Sequence, residues 1–164
     1  MLNKYAKIIK TITSITIAAL FLMAVPSDLV CEELSLLLRT GEITSVVGEV
    51  DIKRAGKNYW TEAEVGLFIS QLDIIRTSEE ASVDVEFAKK DGKYFKFRLR
   101  EKSRLRLTKL EVDKEKTTED ILLELAIGDI LIKVDKQHEK SKFQVRTPVS
   151  MVGVRGTKFR VMYK

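Results

Sequence analysis

Between residues 82 and 107 apolar and polar side chains alternate with a period of two, and nothing else in the chain restricts its fold as strongly. Val83, Val85 and Phe87 interleave with Ser82, Asp84 and Glu86, and Phe95, Phe97 and Leu99 interleave with Lys96, Arg98 and Arg100. Leu105 and Leu107 then alternate with Arg104 and Arg106. Side chains of an extended strand point to opposite faces in turn, so these runs predict half-buried strands rather than helix. Asp91-Gly92 lies between the first two runs and supplies the backbone freedom of a tight hairpin turn. The same rhythm recurs through Ile43, Val46, Val47, Val50 and Ile52, through Leu123, Leu125 and Ile127, through Ile130, Ile132 and Val134, and at Phe143 and Val145. Residues 32–38 read as a helical turn or a first strand, and residues 111–120 (EVDKEKTTED), which lack any period, read as a loop. No strand–long helix–strand rhythm exists, which argues against a parallel α/β sheet.

These features predict an all-β domain of about ten strands. Two architectures fit: a short β-roll or solenoid, and a twisted β-sandwich. A weak echo, in which residues 64–75 and 124–131 each run an apolar stretch into an aspartate followed by two aliphatics, suggests coils of a solenoid or roll, but two copies are too few to distinguish it from the sandwich.

The N-terminus predicts export. Lys4, Lys7 and Lys10 precede an uncharged stretch over residues 11–25, and Pro26-Ser27-Asp28 forms a polar exit. A basic start and a short apolar core are the parts of a secretory signal peptide, preceding the β domain as a signal or anchor helix. The run is shorter than the roughly 20 apolar residues of a spanning helix, and its threonines and serines weaken it further. Residues 1–27 are therefore a signal peptide cut after Ser27 or an uncleaved anchor; in the second case residues 8–25 would associate with the inner membrane. Residues 28–42 read as a linker or short helix, and residues 43–164 as the β domain. The expected location is extracytoplasmic, periplasmic or secreted. The net charge of +5 is largely the leader's: without its three lysines, the 29 basic side chains become 26 against 24 acidic ones, a net of +2. So small an excess argues against a nucleic-acid partner. The single Cys31 reads as an unpaired thiol near the mature N-terminus; a lipid acceptor would need smaller neighbours than Val30.

The C-terminal region carries a family signature. Residues 147–159 read TPVSMVGVRGTKF, and Thr147, Pro148, Gly153, Arg155, Gly156, Thr157 and Phe159 resemble the hallmark of the FecR domain family. Upstream, Gly48-Glu49-Val50, Trp60, Gly66, residues 73–77 beginning at Asp73, and Gly128-Asp129 resemble the family's earlier blocks in order. Leu72 departs from the pattern, standing where the family usually has glycine before aspartate. Members of the family sense occupancy of an outer-membrane receptor and pass the signal to a sigma factor through a cytoplasmic segment, one membrane span and an extracytoplasmic β domain. Only about ten residues precede the apolar run here, and the chain stops five residues after Phe159. The resemblance therefore implies the exported β domain alone, or a fragment of a longer protein.

Glycines in a β-rich run mark a bend, a bulge or a close backbone approach, so residues 147–159 are expected to turn a corner, with Pro148 at a strand start or edge. Catalytic groups are scarce. His138, the only histidine, has no partner at a recognisable spacing, and no nucleophile–base pair, metal-ligand spacing or phosphate loop is present. The expectation is a non-enzyme without cofactor or metal. Asp73 and Asp129 each follow an expected turn and should cap backbone amides. Trp60 is expected to plug one end of the core, and Arg155 to fix strand carbonyls from a buried position. The basic residues Lys93, Lys96, Arg98, Arg100, Arg104 and Arg106 concentrate along one presumed hairpin. They are either a docking face for an anionic partner or a charged solvent face that blocks edge aggregation. The functional expectation is a binding or scaffolding module of the bacterial cell envelope, its partner an envelope protein or cell-wall polymer. The alternative is a membrane-anchored regulator in iron-responsive sigma-factor signalling.

Overall fold

The computed structural model describes residues 36–38, 40–88, 94–113, 118–135, 140–154, 156 and 158–164. The leader, Cys31, the Asp91-Gly92 turn, Lys93, His138, Arg155 and Thr157 lie outside them. Among the described residues every regular element is a strand. They are β1 (Leu36–Leu38), β2 (Gly41–Val47), β3 (Val50–Lys53), β4 (Thr61–Glu62), β5 (Phe68–Ile69), β6 (Ile74–Thr77), β7 (Ser82–Ala88), β8 (Tyr94–Leu99), β9 (Ser103–Asp113), β10 (Thr118–Val134), β11 (Lys142–Arg146), β12 (Met151–Val154) and β13 (Lys158–Tyr163). The all-β expectation holds. The count exceeds ten because β1, β4 and β5, of two or three residues, are too short to show a period.

The strands form one sheet that curls on itself through β10. In its first half, strand order runs β4-β3-β6-β9-β10-β11-β12, with β1 against the far end of β9. In its second half it runs β5-β2-β7-β8-β10-β13. All pairings are antiparallel except β10 with β11. A solenoid stacks its coils in parallel, so the antiparallel ladders rule that architecture out. The apolar patch at residues 36–38 is a strand. The expected loop over residues 111–120 is corrected at both ends, where β9 continues to Asp113 and β10 begins at Thr118, paired Glu111↔Asp120 and Asp113↔Thr118, while residues 114–117 lie outside the described residues. Its polar residues are stabilised by Lys109, whose Nζ reaches Asp120 across the ladder at 2.7 Å and Glu111 on its own strand at 3.2 Å.

The inward faces make a single core. Phe87 and Phe95 stack with centroids 4.1 Å apart, Phe95 meets Phe143 edge-on at 5.2 Å, and Phe143 meets Phe159 edge-on at 6.3 Å. Phe143 thus ties β11 of the first half to β8 and β13 of the second. Ile127 is the exception to its predicted face: a register shift between Leu125 and Ile127 turns it outward, leaving it 47% exposed.

Both echoed segments cross between the halves, and both use one device. The chain passes from β5 to β6 through Leu72 at φ 69° and then Asp73; within β10 it bends through Gly128 at φ 112° and then Asp129. The turn survives the leucine because its surroundings hold it: Leu72 N–H donates to Leu107 O at 2.6 Å, and Leu107 N–H returns to Asp73 O at 3.0 Å. A left-handed leucine carries a penalty of about 1–2 kcal/mol, against about 0.5–1 kcal/mol of extra chain entropy for glycine. Leu72→Gly should therefore stabilise the protein by about 0.5–1 kcal/mol, read as a higher urea midpoint. A lower midpoint would show that the half-exposed leucine side chain outweighs its backbone strain.

Candidate functional site

The signature residues sort first into corners. Asp73 is 2% exposed. Its carboxylate accepts the N–H groups of Ala55 and Ser70, each at 2.9 Å, and Arg54 Nη1 at 2.7 Å. It therefore caps backbone amides at its turn. Asp129 behaves differently. Arg160 engages both its oxygens, with Nε to Oδ1 at 2.7 Å, and Arg100 Nη1 lies 3.4 Å from Oδ2. The Arg160 hydrogen bonds, helped by the charges of Arg160 and Arg100 and opposed by partial burial, hold this carboxyl below its ordinary range. A folded-state pKa below the unfolded one means the charged form contributes stability above the ordinary value near 3.9, lost as pH falls through the lowered one. Asp129→Asn should be less stable than the parent at neutral pH, with the gap closing as pH drops from about 5 to below about 3. Denaturation midpoints across that range check this; a gap unchanged at the acid end would show that the charge is not what holds the corner.

Thr147, buried, closes the turn between β11 and β12: its N–H donates to Ser150 O at 2.8 Å and its hydroxyl accepts Ser150 N–H at 3.0 Å. Pro148 sits in that turn, where no ladder bond is lost. Gly156, at φ 71°, lies where the chain leaves β12 for β13, so the corner expected in this run is present. Gly153 is not part of it. It lies inside β12 opposite Gln144, and a Cβ there would meet nothing within 4 Å. Gly66, at φ 86°, turns the chain into β5 and donates its N–H to Ile43 O at 2.8 Å. Trp60 is a correction: it is half-buried and outside the core cluster, with the Arg76 guanidinium 4.4 Å above its ring. Arg76 is in turn held by Asp51 at 2.6 Å.

The basic residues do not share a hairpin. β8 pairs with β7 and β10, while β9 pairs with β6, β10 and β1. Lys96, Arg98 and Arg100 accordingly face outward from the second half, and Arg104 and Arg106 from the first. Most of this charge is neutralised locally. Arg98 binds Asp84 through two contacts of 2.6 Å, Arg100 faces Asp129, and Lys102 pairs with Glu79. Arg104 and Arg106 have no ion pair among the described residues.

Those two arginines line a cleft of about 410 Å³ with Ile74, Glu124, Arg146 and Pro148. Register builds it: Ile74, Arg106, Glu124 and Arg146 are direct cross-strand neighbours on β6, β9, β10 and β11. Glu124, whose oxygens accept Arg146 Nη1 at 2.9 Å and the Thr108 hydroxyl at 2.8 Å, makes no ion pair with Arg106, and this one carboxylate faces three arginines in the cleft. The cleft holds uncompensated positive charge over a partly apolar floor. Arg146 and Glu124 escaped the sequence reading because their adjacency depends on strands far apart in the chain. No group of three or more His, Cys, Asp or Glu among the described residues is placed to hold a metal. No helix among them is long and apolar enough to cross a membrane.

Fold and surface together define an all-β domain wound from one curled sheet, with its ionic chemistry on the outer faces. The chain belongs to the FecR family: that family's model, described as FecR protein, matches residues 73–164, more than half of the sequence. The family is one of regulators of transmembrane signalling. Gly48, Trp60 and Gly66 precede the matched stretch but lie in the same compact unit, Ser35–Lys164. Comparison with curated proteins gave no match, and comparison with solved structures gave none.

Proposed function

We propose that the chain is an exported, non-enzymatic FecR-family module that acts by binding in the cell envelope, and that its partner enters the arginine cleft of the first half-sheet. The contrast in ion pairing carries this reading. Arg98, Arg100, Lys102 and Lys109 are each met by a carboxylate, whereas Arg104 and Arg106 stand two residues apart on one face with none. Guanidinium forks bind carboxylate and phosphate in bidentate fashion, so an anionic partner would supply the missing counter-charge. An acidic envelope protein or an anionic cell-wall polymer fits. Family membership supports a second reading, a membrane-anchored regulator in iron-responsive sigma-factor signalling, in which the leader is retained.

The test is co-sedimentation of the full chain with isolated cell-wall polymer, and retention on immobilised polyglutamate as a model acidic protein. Arg104→Ala with Arg106→Ala should weaken binding by about 100-fold, since a hydrogen bond to a charged group contributes about 1.5–3 kcal/mol. Thermal stability should stay unchanged, because neither side chain makes an ion pair among the described residues. Undiminished binding by the double variant would overturn the assignment. Intact mass and fractionation from the native envelope separate the two readings: loss of residues 1–27 in a soluble fraction favours a free module, and a full-length mass in the inner membrane favours the regulator.

A further inference from the structure

We propose that β12 is a self-pairing edge, and that two copies of this chain join antiparallel across it with Val152 on the two-fold axis. This does not depend on the arginine cleft. Among the described residues β12 pairs with β11 alone, and none of them covers its other side, which is an open edge among them. Open edges in soluble proteins are usually blunted by charge or proline, as β13 is by Lys158 and Arg160. β12 reads MVGV and has no charged side chain, and the preceding turn residues 147–150 have none either. Val149 is 76% exposed, Met151 49% and Val152 36%. Gly153 completes the strand with open space where a side chain would stand. Glycine weakens a strand, and neither a bend nor a close neighbour within this chain requires it here. Bare backbone on an open edge suits the approach of another backbone.

The pairing register says which backbone. Thr147 N–H bonds to Ser150 O, and antiparallel ladders alternate hydrogen-bonded and non-hydrogen-bonded pairs. Thr147/Ser150, Val145/Val152 and Phe143/Val154 are then the bonded pairs within the hairpin, so the N–H and C=O groups of Met151 and Gly153 point out from the free edge. A second β12, antiparallel and centred on Val152, sets Met151 opposite the other copy's Gly153, and the reverse. Both are outward-bonding positions, so each such pair exchanges its two backbone hydrogen bonds. Each Met151 side chain lies over the gap left by the facing glycine. The two Val152 side chains meet on the axis as a non-hydrogen-bonded pair, the closer of the two kinds. Any extended strand could meet the backbone groups of this edge; a second copy adds the fit of Met151 over the facing Gly153 and of valine against valine on the axis.

Cysteine crosslinking of the full chain in detergent micelles, on a Cys31→Ser background, tests this. Across the axis the Cα atoms at 152 would lie about 4.5 Å apart, within disulfide reach, whereas those at 149 would lie roughly 20 Å apart. Random collisions would favour the more exposed position 149. Under mild oxidation Val152→Cys should form disulfide dimers at least about tenfold faster than Val149→Cys. Adding Met151→Lys should suppress that crosslink, because a charge on the edge opposes pairing. Equal or faster crosslinking at 149, no crosslinking at either position, or a 152 crosslink indifferent to Met151→Lys would each overturn the proposal.

Discussion

Gly128→Ala is expected to cost about 3–5 kcal/mol of stability, a large fraction of what a domain of this size holds. Two effects add. Residue 128 sits at φ 112°, outside the regions an L side chain occupies comfortably. An ideal Cβ there would also run into the Ser103 side chain and come within 2.5 Å of its Cα, a backbone atom that no rotamer change can move. Ser103 cannot simply retreat, because it is stitched into the corner. Its hydroxyl accepts Asp129 N–H at 3.0 Å and donates to Glu101 O at 2.9 Å, while its own N–H donates to Thr77 Oγ1 at 3.1 Å. The urea midpoint of the full chain is the measurement. Ser103→Gly in the Gly128→Ala background should recover part of the loss by removing the collisions with the Ser103 side chain, while leaving the close approach to its Cα and the φ penalty. A variant with near-parental stability would mean that β10 can bend elsewhere.

Phe143→Ala is the second large effect, expected to destabilise by about 3–5 kcal/mol. Phe143 is 1% exposed and touches aromatic rings of two other strands, Phe95 and Phe159. Removing it opens a cavity where the two halves of the sheet meet, and the edge-on contacts carry about 0.5–1.5 kcal/mol each beyond their area. Phe143→Leu, which keeps most of the volume, should lose less than half as much. Equal losses for the two substitutions would point to ring geometry, not filled volume, as what closes the curl.

Local pattern determined several elements. The alternation at Val83, Val85, Phe87 and at Phe95, Phe97, Leu99, with Asp91-Gly92 between, located β7 and β8 and their pairing, since such strands are neighbours in sequence and in space. Asp73 after its turn was legible as a cap for the same reason. Periodicity failed where a bulge broke it: Leu125 and Ile127 share a face in the sequence, and the register shift between them puts one in the core and the other in solvent. The polar residues 111–113 and 118–120 lacked a period because they lie on half-exposed ends of β9 and β10, flanked by β1 and β11, where ion pairs replace apolar contacts.

The strand class, most of the core-facing residues and the hallmark at residues 147–159 were therefore the property of the sequence alone, because each depends on residues within about a dozen positions of one another. The tertiary structure decided the rest. It divided the basic residues between two faces, left Arg104 and Arg106 without ion pairs among the described residues, and set them beside Ile74 and Arg146 from distant strands. It also showed that Gly153 serves no bend of its own and lies on a strand that, among the described residues, is paired on one side only. Those facts rest on register between strands tens of residues apart, and shifting a strand by one residue would send every side chain to its opposite face. No local spacing records that choice; only the closed set of ladders does.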